Sequence, residues 1–345
     1  MKRIVVLAAA MLWAASAQAE TVRVAWCAKS ILSSASPFAI ANKMGYFAAG
    51  KITVDLQPVG GGSVDCDKFV GTGEVRYSLP SIEALATLRP QGLKAKVFYT
   101  AYQGNIYGIA VPDESPIKTF ADLKGKKIGV ASLGSGGAIV ARAIATNIGD
   151  PDLPVVAVGE GAQAAALLRQ GQIDALALYD TQYAVIESLG IKLRIMPNAE
   201  FDAFPGNGLI ALDDTLATDR AQAVAIGQGY AKGELFAIAN PEAAVRIMWA
   251  EFPQTKPTGK DEATALRDDV ITLKARIANW QLSKSGVTAW GESAMAHYQE
   301  YLDFLVKWGQ IKTPIKATEL VTNDLIADIN KFDPKEVEAA AKSYK

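Results

Sequence analysis

One histidine and two cysteines stand in the 345 residues of this chain. With His297 alone, a serine- or cysteine-type nucleophile has almost no choice of imidazole base, and no G-x-S-x-G elbow occurs. Zinc sites draw on several Cys and His ligands at turn or helix spacing, which His297, Cys27 and Cys66 do not supply. H-E-x-x-H and the EF-hand loop are missing as well. His297 sits in ESAMAHYQEY, a helical pattern, and reads as a surface or half-buried helix residue. No excess of either charge is present, since 35 basic and 36 acidic residues nearly cancel. That balance offers no stripe for nucleic acid and no charged tail. Past the N-terminus, no apolar run approaches the ~20 residues of a membrane span. No metal and no cofactor are expected.

What is present begins at the N-terminus. Lys2 and Arg3 precede IVVLAAAMLWAASA, and AQA precedes Glu20. A charged start, a short apolar core and a small-x-small site describe an export signal, residues 1–19, cleaved after Ala19. The mature chain is therefore expected outside the cytoplasm, in the periplasm of a Gram-negative source. That compartment permits disulfides. Cys27 and Cys66 either bridge or remain two buried thiols. A bridge would close a loop of about 40 residues.

From residue 21 to 102, strand patterns alternate with helical ones: TVRVAW, SPFAIANKMGYF, ITVDLQPV, a short helix after GGGS, RYSLPS, IEALATLRP and AKVFYTAY. A second alternating unit runs from GIAVP through KKIGVAS, LPVVAV and IDALALY to IKLRIMP and NGLIALDD. Such alternation predicts an α/β class with mainly parallel sheets. From about residue 213 the periodicity is helical throughout. Trp249, Trp280 and Trp308 lie in those helical patterns and read as core anchors.

The stretch KKIGVASLGSGGAIVARAI places a Ser/Gly turn between a strand and a helix. It departs from the G-x-x-x-x-G-K-[ST] phosphate loop, having no Lys after the glycines. It departs from G-x-G-x-x-G as well, because Ile139 occupies the last Gly position. A helix start rich in hydroxyls still favours a small anion, so Ser132, Gly134, Ser135 and Gly136 are candidate ligand contacts. An ordinary capped helix start is the alternative. In open α/β sheets ligands bind beyond the carboxyl ends of the strands. Other strand ends therefore contribute Ala28, Lys29 and Ser36, then Gly61 and Ser63, then Ser78, Pro80 and Ser81, and finally Tyr179 and Asp180. Lys29 would supply counter-charge. Trp26, Phe38, Tyr102 and Tyr179 would pack the body of an aromatic carboxylate or sulfonate, with core packing as the alternative for each. Arg142, on the helix behind the loop, either pairs structurally or reaches the cleft.

GYFAAGKITVDLQPVGGG, YGIAVPDESPIKTFADLKGKKIGV, GQIDALALYD and ELVTNDLIADINKFD resemble the solute-binding proteins of ABC importers. The resemblance is to the group that includes nitrate-, taurine- and aliphatic-sulfonate-binding proteins and thiamine-precursor binders. It implies a type II periplasmic binding protein fold, with two α/β lobes and a two-strand hinge near residues 100–107 and 200–212. Lobe I would comprise residues 20–103 and 213–345, and lobe II residues 104–212. It further implies a monomer that carries a small organic anion to an inner-membrane ABC permease, without enzymatic activity. A sensor for a membrane kinase is a variant of the same reading. The other alternative within the superfamily is a thiamine-pyrimidine synthase, which carries a CCCFC motif that is missing here, or a pyrimidine-precursor binder.

Overall fold

The computed structural model of the chain describes residues 19–202 and 204–344. The expected export signal thus lies, but for Ala19, outside the described residues. The N-terminal alternation is realised as β1 (Glu20–Trp26), α1 (Ser36–Lys43), β2 (Ile52–Pro58), α2 (Ser63–Gly71), β3 (Tyr77–Ser78), α3 (Ile82–Leu88) and β4 (Ala95–Thr100). The second unit holds β5 (Ala110–Pro112), β6 (Ile128–Val130), α4 (Gly136–Asn147), β7 (Val155–Ala157) and α5 (Ala162–Arg169). It continues with β8 (Ala175–Ala177), α6 (Asp180–Ser188) and β9 (Leu193–Ile195). After α7 (Ala199–Asp202) and β10 (Gly208–Leu212) the chain is helical: α8 (Asp213–Thr218), α9 (Arg220–Ala239), α10 (Pro241–Glu251) and α11 (Glu262–Trp280). The last four are α12 (Met295–Lys307), α13 (Ala317–Leu320), α14 (Ile326–Ile329) and α15 (Pro334–Ser343).

The strands form two five-stranded sheets, ordered β2-β1-β3-β10-β4 and β7-β6-β8-β5-β9. Parallel pairing links β2, β1 and β3, with Glu20 opposite Ile52 and Val24 opposite Tyr77. It also links β7, β6 and β8. Both sheets are mixed, however, because β10 runs antiparallel to β3 and β4, and β5 antiparallel to β8 and β9. NGLIALDD, predicted to close the second unit, instead enters the first sheet. Neighbours in sequence need not be neighbours in a sheet, and Gly208–Ala211 is buried on both faces, leaving no alternation to mark its partner. β2 shows the opposite case. It is an edge strand, with Ile52, Val54 and Leu56 buried and Thr53 and Asp55 exposed.

The C-terminal helices cover the first sheet. Trp249 and Trp280 are buried in one cluster with Phe38, Tyr99, Tyr102 and Tyr230, while Trp308 is half-buried and stacks edge-on against Phe304. Helix α1 packs on α9, where Gly233 lies against the Pro37 backbone and a Cβ would overlap it. Main chain cannot swing aside as a flexible side chain can. Gly233→Ala is therefore expected to destabilise the fold by about 1–3 kcal/mol. Urea denaturation measures this, and an unchanged midpoint would show that the two helices separate freely. Among the described residues no helix is long and apolar enough to cross a membrane.

Candidate functional site

Two segments cross between the sheets, residues 101–109 after β4 and residues 196–207 before β10. They form the floor of a cleft whose walls are the strand-end loops. Trp26, Cys27 and Ala28 line it at the end of β1, and Leu79 after β3. The floor adds Tyr102, Ile106, Tyr107 and Asn207, the far wall adds Tyr179, and α11 adds Arg276. Four aromatic rings thus surround one charged side chain. The cavity is about 30 Å3. That is space for one or two water molecules.

Arg276 is 2% exposed and lies on the buried stripe of α11 with Thr272, Leu273 and Trp280. Its Nε donates to both Asp180 oxygens at 3.1 and 2.9 Å, and its Nη2 to Oδ1 at 2.6 Å. Asn279 donates to Asp180 Oδ2 at 3.0 Å, and the Thr181 N–H to Oδ1 at 2.7 Å. The guanidinium also sits 4.0 Å from the centre of the Tyr102 ring, a cation–π distance. Burial alone would lower the pKa of Arg276. The Asp180 carboxylate more than offsets that and holds it above its ordinary value. Burial pushes the Tyr102 hydroxyl up to about 12, against the pull of Arg276.

Direct contacts join the two walls beyond the cavity. Ser132 Oγ donates to the Gly61 carbonyl at 2.9 Å, and the Val64 N–H to the Gly134 carbonyl at 3.1 Å. The Ser30 N–H donates to Glu160 at 2.9 Å, and Glu160 also accepts from the Tyr179 hydroxyl at 3.0 Å. Gly62, at φ 85°, gives the chain the left-handed turn that brings Ser63 in at the start of α2. Cys27 is disulfide-bonded to Cys66 of α2, stapling the loop after β1 to the helix after β2.

The sequence-predicted residues separate into three groups. Trp26, Ala28, Tyr102 and Tyr179 line the cavity, and Asp180 stands directly behind it on Arg276. Gly61, Ser63, Pro80, Ser81, Ser132, Gly134, Ser135 and Gly136 lie along the meeting edges of the walls but not in the lining. There Ser63 Oγ accepts from the Ser81 N–H, and Gly136 packs against Ser81 and Tyr107. Ser135 caps α4, its Oγ accepting from the Ala138 N–H and donating to the Ser132 carbonyl. The hydroxyls of the loop KKIGVASLGSGG are therefore committed to its own helix cap and to the opposite wall. Lys29 is exposed, Ser36 and Ser78 are buried, and Phe38 is in the core at 4.8 Å from the Tyr230 ring. Arg142 donates to the Leu133 carbonyl behind the loop.

Tyr107, Asn207, Glu160 and Arg276 are absent from the predictions. Arg276 did leave a signal, because a cation three residues after Leu273 and four before Trp280 falls on an apolar helix face. Asn207 left none: it is placed by β10, and its side chain accepts from Tyr107 and donates to the Leu79 carbonyl.

A family model described as "NMT1/THI5 like" matches residues 33–244. A search of curated protein sequences returns no significant match. Several solved structures are similar in fold. The alkanesulfonate-binding protein SsuA from Xanthomonas axonopodis pv. citri, bound to MOPS, has a TM-score of 0.66 at 15% identity, covering 89% of this chain and 99% of that one. The periplasmic aliphatic sulphonate binding protein SsuA from Escherichia coli gives 0.65 at 15%, covering 89% and 98%. The periplasmic nitrate-binding protein NrtA from Synechocystis PCC 6803 gives 0.65 at 15%, covering 95% and 99%. At these identities the likeness shows the fold, which is that of periplasmic binding proteins. The family match extends over more than half of the sequence, and the chain belongs to the NMT1/THI5-like family.

Proposed function

We propose that this chain is the exported substrate-binding protein of an ABC importer, capturing a small organic anion of the sulfonate or aromatic carboxylate type for a membrane permease. The observation that carries the reading is Arg276, among the described residues the one charged side chain in the cavity lining, set among Trp26, Tyr102, Tyr107 and Tyr179. Family membership and the fold of the structural relatives support it. In this reading the anionic head meets Arg276 and the aromatic rings hold the body.

A guest the size of benzoate needs more room than a cavity of about 30 Å3, and in this reading parting of the halves supplies it. The contacts that open are Ser132 with Gly61, Val64 with Gly134 and Ser30 with Glu160. Motion about the two crossing segments separates the first sheet, with the helices that cover it, from the second sheet. Since β10 belongs to the first sheet, the mechanical boundary falls before Gly208. Closing again around the guest makes the shape that a permease reads. Cleavage after Ala19 and residence in the periplasm belong to the same proposal.

The synthase alternative needs a histidine at the cleft. His297 is half-buried on α12, apart from the lining residues, which favours binding over chemistry. Thermal-shift screening of the mature chain against benzoate, benzenesulfonate, taurine, nitrate and a methylated aminopyrimidine tests the reading. A true ligand at 100 times its Kd stabilises by about 2.7 kcal/mol. A shift with the pyrimidine alone, or with none of the panel, would sink the anion reading.

A further inference from the structure

The geometry points to Asp180 as the residue that sets the charge of the guest: one negative charge is accepted and two are refused. This rests on the anion-binding reading above and sharpens it. Asp180 occupies the Nε–H and one Nη2–H of Arg276, leaving Nη1 without a protein partner among the described residues. Arg276 thus offers the cavity one donor edge, and its positive charge is already countered by a carboxylate at hydrogen-bond distance. A second carboxylate stands on the same wall, Glu160, held by Ser30 and Tyr179. Among the described residues no other cation lines the cavity, and Lys29 is exposed outside it. A monoanion meets the free guanidinium edge. A dianion of the same shape brings an additional charge toward Asp180 and Glu160 with nothing to balance it, and desolvated like charges repel strongly. Arg276 also lies beyond residues 33–244, so the matched family region does not include the cation on which this arrangement turns.

Asp180 is a positioning residue here, since it acts on the guest through Arg276. The test pairs two probes of nearly one shape: benzenesulfonate, singly charged, and phenylphosphonate at a pH where it is doubly charged. Calorimetry on the mature chain gives the ratio of their affinities. The wild type is expected to prefer the sulfonate. Asp180→Asn keeps the size and an acceptor oxygen, and is expected to shift the ratio toward the phosphonate by about ten-fold or more. Asp180→Glu should restore the wild-type ratio. A purely structural role for Asp180 would weaken both probes together and leave the ratio in place. Glu160→Gln provides a second variant, expected to shift the ratio in the same direction should Asp180→Asn fail to fold. A ratio unmoved in the folded variants overturns the inference while the anion reading stands. Failure of the wild type to bind either probe overturns the inference, and the anion reading falls with it when no anion of the screening panel binds.

Discussion

Replacing Arg276 with alanine is expected to destabilise the fold by about 3–5 kcal/mol and to abolish ligand capture together. The size follows from what stays behind. The Asp180 side chain is only 12% exposed, and without Arg276 it keeps only the Asn279 and Thr181 donors. A buried carboxylate stripped of its counter-charge carries a large desolvation penalty. The guanidinium also leaves the face of Tyr102, forfeiting a cation–π contact at 4.0 Å. Arg276→Lys retains charge but not the planar fork, so it should recover part of the stability and little of the binding. The double variant Arg276→Ala with Asp180→Ala should be less destabilised than the two single effects summed, because the orphaned charge is gone. Denaturant titration of the four proteins measures this cycle. An Arg276→Ala variant within about 1 kcal/mol of wild type would mean that water reaches Asp180 freely.

The second large effect is the loss of the Cys27–Cys66 bridge. A double Cys→Ser variant is expected to lose about 4 kcal/mol, the chain-entropy value for a closed loop of 39 residues. The bridge also fixes local geometry. Cys66 is fully buried in α2, and Cys27 lies in the cavity lining beside Trp26. Freeing them loosens one wall of the cleft, so ligand affinity should fall along with stability. Thiol titration of the unfolded, unreduced wild type should find no reactive thiol. Two reactive thiols, or a double variant as stable as wild type, would contradict the staple.

The architecture was largely legible in the sequence because each strand and helix carries its own periodicity. β2 shows period two along one edge, and α11 shows the helical stripe. Strand ends then located Trp26, Tyr102, Tyr179 and Asp180 near one another, since topology gathers such loops. Pairing was not legible where burial is uniform, as in β10, which the local pattern assigned to the wrong sheet. Nor could sequence reveal what the donors of a loop meet. The Ser132–Gly136 turn reads as an open anion cradle, yet its two hydroxyls donate to the Gly61 and Ser132 carbonyls and its Gly134 carbonyl accepts from the Val64 N–H. Phe38 illustrates the same limit. Its position after a strand-end loop suits a ligand contact, while the Tyr230 ring that packs against it lies nearly two hundred residues on.

The contacts joining the two walls have a consequence for how such a fold changes over generations. Gly61, Val64 and Gly134 take part through main-chain atoms, which substitution leaves in place wherever the backbone path is kept. The cavity, by contrast, is written in side chains: Trp26, Tyr102, Tyr107, Tyr179 and Arg276. Only the Val64–Gly134 contact is main chain on both sides; the other two rest on the Ser132 hydroxyl and the Glu160 carboxylate. A lineage can therefore exchange the lining while keeping the main-chain part of the latch, whereas a change at Glu160 alters how the walls meet.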